Sequence, residues 1–168
     1  MSRPITRLAC VTAILLSLTA AMIDATQAPP TIVVTGDVAK PLTLGVADLK
    51  KMPRTTVTVE RDGGKVVYEG VRVGELLARA GVPLGRDLMG PALATYVLAT
   101  AVDSYEVLFS VGELDPSMTP YEVIVADTAD GKPLGDTQGQ FRIVIPLDKR
   151  GARSVRMLDR LEVVRLRK

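Results

Sequence analysis

Histidine and tryptophan are missing from this 168-residue chain, and its one cysteine is Cys10. Without histidine, the commonest general base and the commonest metal ligand are gone. Zinc sites of the Cys/His kind cannot be assembled, nor can a Ser-His or Cys-His nucleophile pair. No G-x-G-x-x-G fingerprint or Walker-type loop occurs, so nucleotide binding finds no support. Aromatic residues make up only 4%, which leaves the core to Val, Leu, Ile and Ala.

What remains is ordinary globular material. The chain is 47% hydrophobic and 24% charged, which fits one folded domain large enough to bury about 68–70% of its unfolded surface. Arg3 and Arg7 precede a sixteen-residue apolar run from Leu8 to Ile23, and small residues then lead to Ala28. This is the layout of a secretory signal peptide over about residues 1–28, and the run is shorter than the roughly 20 residues of a spanning helix. An uncleaved anchor is the alternative. Export places the domain, 29–168, in the periplasm or outside the cell. Cys10 leaves with the peptide.

From residue 30 onward strands and short helices are mixed without a regular βαβ alternation, which predicts an α+β fold. The β-branched run 31–36 reads as a strand. Residues 42–53 read as a short strand and a helix stopped by Pro53. Two strand-like runs flank Asp62-Gly63-Gly64, a hairpin signal. Val73, Leu76, Leu77 and Ala80 recur at helical spacing up to Gly81. Residues 92–102 and 105–111 read as strands, the first buried on both faces, and Gly112 to Pro116 as a short helix. Segments 121–127 and 141–146 flank a turn-rich stretch with a hairpin turn at Asp130-Gly131, and 160–168 closes the chain as a strand. Glu60, Asp103, Glu106, Asp127 and Asp136 could supply a carboxylate pair, but no spacing brings two of them together.

Charge is distributed unevenly. The whole chain is +2, yet Arg142 to Lys168 holds nine basic and three acidic residues, a net of +6. Its centre, Asp148 to Leu158, places Arg150, Arg153 and Arg156 three residues apart beside Lys149. Guanidinium groups keep their charge at any working pH and present a planar fork to phosphate or carboxylate. Converging arginines would hold a small oxyanion or phosphate ester; a solvated basic surface is the bland alternative. Nucleic acid is not expected, because no aromatic side chain is interleaved with these arginines.

The order of several motifs resembles the sulfite-oxidase-like oxidoreductase molybdopterin-binding domains. These are Asp130-Gly131-Lys132-Pro133-Leu134, then GQFRIVIP at 139–146 and GARSVRML at 151–158, preceded by YEGVRVGELLARAGV (68–82) and DSYEVLFSVGELDP (103–116). The resemblance spans about residues 30–168. It implies a single compact mixed α+β domain with irregular sheet and short helices, and it implies pterin-phosphate contacts at Arg153, Ser154 and Arg156, with Lys149 and Arg150 at the rim. The family's metal-ligating cysteine has its counterpart at Glu60 or Arg61, neither of which replaces a soft thiolate. No side chain is therefore expected to ligate metal directly, and no catalytic residue is assigned. The expected function is an exported domain holding an anionic ligand, with molybdopterin bound through its phosphate as the form the family implies. The alternatives are an active molybdenum-cofactor oxidoreductase or its cofactor-holding subunit, and a non-catalytic interaction protein. A redox or membrane-associated partner protein is the partner implied.

Overall fold

The computed structural model describes residues 29–61 and 63–167, apart from the side chain of Arg61. The signal segment expected over 1–28 lies outside these residues. Two sheets and three short helices make one α+β domain, as the mixed strand and helix signals predict. No helix among the described residues is long and apolar enough to cross a membrane.

The first sheet has the order β2 (Leu42–Leu44), β1 (Ile32–Gly36), β10 (Leu158–Arg165), β5 (Thr95–Ala101), β6 (Glu106–Ser110). Only β1 and β10 pair in parallel, with Val34 opposite Leu161; the other neighbours are antiparallel. Period-two alternation decides which face is buried. Val97, Ala99 and Ala101 of β5 point into the main core while Tyr96, Leu98 and Thr100 stay half-buried on the other face. The expectation that 92–102 is buried on both faces is thus not met.

Double burial falls instead on β7 (Ile124–Ala129), the central strand of the second sheet. It pairs with β4 (Gly64–Arg72) on one edge, and on the other with both β8 (Lys132–Pro133) and β9 (Arg142–Val144). β3 (Thr55–Arg61) closes the far side through the expected hairpin with β4. Val125 of β7 joins the main core, whereas Ile124 and Ala126 join a smaller cluster with Val57, Tyr68 and Val144. Sandwiching between two apolar layers is why its sequence runs hydrophobic rather than alternating. Asp130 and Gly131 both adopt positive φ, 48° and 74°, the turn that lets β7 reverse tightly into β8.

Three helices fill the gaps: α1 (Val46–Leu49), α2 (Val73–Arg79) and α3 (Val111–Leu114). α2 buries Val73, Leu76 and Leu77 and stops before Gly81, as the spacing predicts. α3 starts on a reciprocal cap, in which the Ser110 hydroxyl accepts from Glu113 N–H and the Glu113 carboxylate accepts from Ser110 N–H.

Within the second sheet a buried ion pair ties β4 to β7. The Arg54 guanidinium donates two bonds of 2.7 Å to the Asp127 carboxylate on β7 and one of 2.9 Å to Glu69 on β4. Burial pushes the Asp127 carboxyl up; the Arg54 fork and the Thr128 hydroxyl outweigh it and hold the group below its ordinary value.

Candidate functional site

A cleft of about 830 Å³ opens where three chain segments meet beside the ends of β5 and β10. Asp103 and Tyr105, from the turn between β5 and β6, form one wall. Thr137, Gln138 and Arg142 form the second. Gly151, Ala152, Ser154, Arg156 and Met157 form the third.

Backbone hydrogen bonds fix the walls to one another. Met157 N–H donates to Gln138 O at 2.8 Å, and Val102 N–H donates to Met157 O at 2.9 Å, so Met157 bridges all three segments. It does so at φ 49°, an uncommon conformation for a side-chain-bearing residue. Gly139, at φ 73°, packs so closely on it that an added Cβ would stand 2.6 Å from Met157 Cα. The third wall begins with a single 3₁₀ turn, Gly151–Arg153. The Tyr105 hydroxyl donates to Ala152 O at 2.7 Å and ties this turn to the first wall.

The polar groups in the cleft differ in how they are engaged. Arg142 stacks 4.9 Å from the centroid of the Tyr68 ring and donates from Nη1 to the Tyr68 hydroxyl at 3.0 Å and to Gln138 Oε1 at 2.5 Å. Arg156 is exposed and makes no ion pair among the described residues. Ser154 is 7% exposed, and its hydroxyl is buried without any hydrogen-bond partner among them. A buried hydroxyl left unpaired costs about 1–3 kcal/mol, so a ligand oxygen arriving there would recover that cost.

Of the five residues singled out from the sequence, Ser154 and Arg156 line the cleft. Arg153 does not. Its Nε and Nη2 donate to the two oxygens of Asp148 at 3.0 and 2.8 Å, its Nη1 donates to Glu113 Oε2 at 3.1 Å, and the guanidinium lies 5.6 Å from the Phe109 ring centroid. The Asp148 fork, with Glu113 behind it, raises the Arg153 pKa further above its ordinary value, against the opposing effect of burial. Lys149 and Arg150 are exposed and stand outside the cleft lining, and Arg160 lies exposed on β10. Sequence reasoning missed Asp103, Tyr105, Gln138 and Met157 as cleft residues. Arg142 was signalled only by its place in the GQFRIVIP motif and as the first of the nine basic residues of the +6 segment.

The donor set suits an anion. Arg142, Arg156, Ser154 and Gln138 line one space, with Asp103 the single carboxylate among the lining residues. A metal finds no comparable set, since no group of three or more His, Cys, Asp or Glu that could hold one occurs among the described residues. Glu60, which the resemblance sets against the family's thiolate, is exposed near the end of β3, 3.6 Å from Lys65.

No curated protein matches the chain. Among solved structures it is similar to the sulfane dehydrogenase SoxCD from Paracoccus pantotrophus, with a TM-score of 0.64 and 23% identity, over 82% of this chain and 38% of that one. That likeness establishes the fold, and the chain spans well under half the length of that relative. The family model for the oxidoreductase molybdopterin binding domain matches residues 22–168, and the chain therefore belongs to that family.

Proposed function

We propose that this is an exported, ligand-holding member of the family, whose cleft grips a small anion or the phosphate ester of a pterin without a protein thiolate to the metal. The observation that carries this reading is the buried, unpartnered hydroxyl of Ser154, a residue that lines the cleft together with Arg156 and Arg142. The residues fit the phosphate end of molybdopterin: Ser154 would donate one hydrogen bond, and Arg156 would supply a charge-assisted pair. They do not supply the soft ligand that would hold molybdenum from the protein side, so redox chemistry there would be the cofactor's own. Export, to the periplasm or beyond, rests on the basic and apolar N-terminal segment. A redox or membrane-associated partner belongs to the same proposal. Family membership favours a second reading, a cofactor-holding subunit in which the dithiolene alone retains the metal.

The test is to isolate the full chain from a host making the cofactor and measure pterin, by fluorescence after oxidation, together with molybdenum. Pterin retained by wild type and lost in Ser154→Val and Arg156→Gln supports the proposal. Stoichiometric molybdenum alongside the pterin favours the second reading. Absence of pterin, with no thermal shift on adding inorganic phosphate, overturns both.

A further inference from the structure

Arg153 sits in the segment that forms the third cleft wall, yet its side chain turns away from the cleft into two carboxylates. Its three hydrogen bonds run to Asp148 and Glu113, five residues before it and forty residues before it. Glu113 is itself divided, since Oε1 accepts from Ser110 N–H at the start of α3 while Oε2 accepts from Arg153. The Gly151–Arg153 turn is therefore held from two sides. Tyr105 grips Ala152 O from the β5–β6 turn, and α3 grips Arg153 through Glu113. The next residue is Ser154, whose backbone N–H closes the turn onto Gly151 O at 3.0 Å and whose hydroxyl is the orphan of the cleft.

We propose that Arg153 is a positioning residue: its fork onto Asp148 and Glu113 holds the 151–154 turn so that Ser154 and Arg156 converge on an anion. This rests on the anion-binding reading given above. A direct contact between Arg153 and the anion would have to use the two N–H donors that the carboxylates leave over, on a side chain outside the cleft lining. A surface pair between flexible side chains contributes little to stability, but a bidentate fork that fixes a turn acts through geometry, as the outer partners of a binding site do.

The experiment uses inorganic phosphate as the probe, with ionic strength held constant by sodium chloride, and measures its dissociation constant for the full-length protein beside each variant's melting temperature. The variants are Arg153→Lys, Arg153→Gln, Asp148→Asn and Glu113→Gln, with Arg160→Gln as a charge control outside the cleft. A positioning role predicts that Arg153→Lys and Asp148→Asn each weaken phosphate by about tenfold, that the double variant is no weaker than either, and that Arg160→Gln changes little. A direct ligand predicts the opposite sign for the carboxylate variants, because Asp148→Asn and Glu113→Gln would release the guanidinium and tighten phosphate; that result overturns the proposal. Lower melting temperatures with unchanged dissociation constants also overturn it, leaving a purely structural ion pair. If wild type itself fails to bind phosphate, the anion-binding reading falls, and this inference falls with it.

Discussion

Replacing Arg54 with methionine isolates the buried ion pair that straps the second sheet. The Asp127 side chain is 1% exposed, against 21% for Arg54. In Arg54→Met, Asp127 would keep the Thr128 hydroxyl, a bond of 2.7 Å, and lose both bonds of the fork. Removing one partner of a buried pair costs about 3–5 kcal/mol because the other charge stays desolvated. Water reaches the open side of Arg54, so the lower end applies, about 3 kcal/mol, which is roughly 6–12 °C in Tm for a domain of this size. The pH dependence fixes the cause. In wild type the Asp127 pKa is depressed, so its contribution is present at neutral pH and is lost as pH falls below about 4. In the variant, burial without the fork raises that pKa, so the penalty is largest at neutral pH and shrinks as the group takes up a proton. Urea melts at pH 7 and pH 4.5 should therefore show the gap between the two proteins closing on acidification. A loss below about 1 kcal/mol at pH 7, or a gap that is constant with pH, would refute the argument, since either would mean that Asp127 is solvated well enough to stand alone.

Two further outcomes are expected. Gly70→Ala should unfold the protein or leave it insoluble, because a Cβ there would stand 2.0 Å from Val125 O, where β4 and β7 already shift register; a circular-dichroism melt close to wild type would contradict the packing described. Ser110→Ala removes the cap of α3 and should cost about 1 kcal/mol, read as a shift in urea midpoint without a change in slope, and Ser110→Asn should restore most of it.

The strands were legible because period two and turn chemistry are local properties. Asp130-Gly131, the 55–72 hairpin and the stop at Gly81 all follow from neighbours in sequence, whereas the Ser110 cap that starts α3 at Val111 was not read. β7 was harder, because its double burial depends on which strands arrive on each side, and no local pattern records that. The site divided along the same line. Ser154 and Arg156 lie in one motif and could be read together, whereas the cleft needs Asp103, Gln138 and Arg142 from distant segments. Spacing made Arg153 look equivalent to Arg156. Asp148 is visible five residues upstream, but Glu113 reaches Arg153 only through the packing of α3 against β6, and with it all three guanidinium nitrogens donate to carboxylates.

The position of β10 governs when the fold can close. It lies between β1 and β5, although it is the last strand in chain order. Until residues 158–165 arrive, the first sheet exists only as two separate hairpins, β2–β1 and β5–β6, with nothing to join them. The second sheet is complete by Val144 and can form earlier. Joining β1 to β10 also closes a loop of well over a hundred residues, the kind of non-local pairing that slows folding. The first sheet therefore cannot close until residues 158–165 are available to serve as its central strand. That makes Leu158–Arg165, with Leu158, Leu161 and Val163 buried, among the least expendable stretches of the fold.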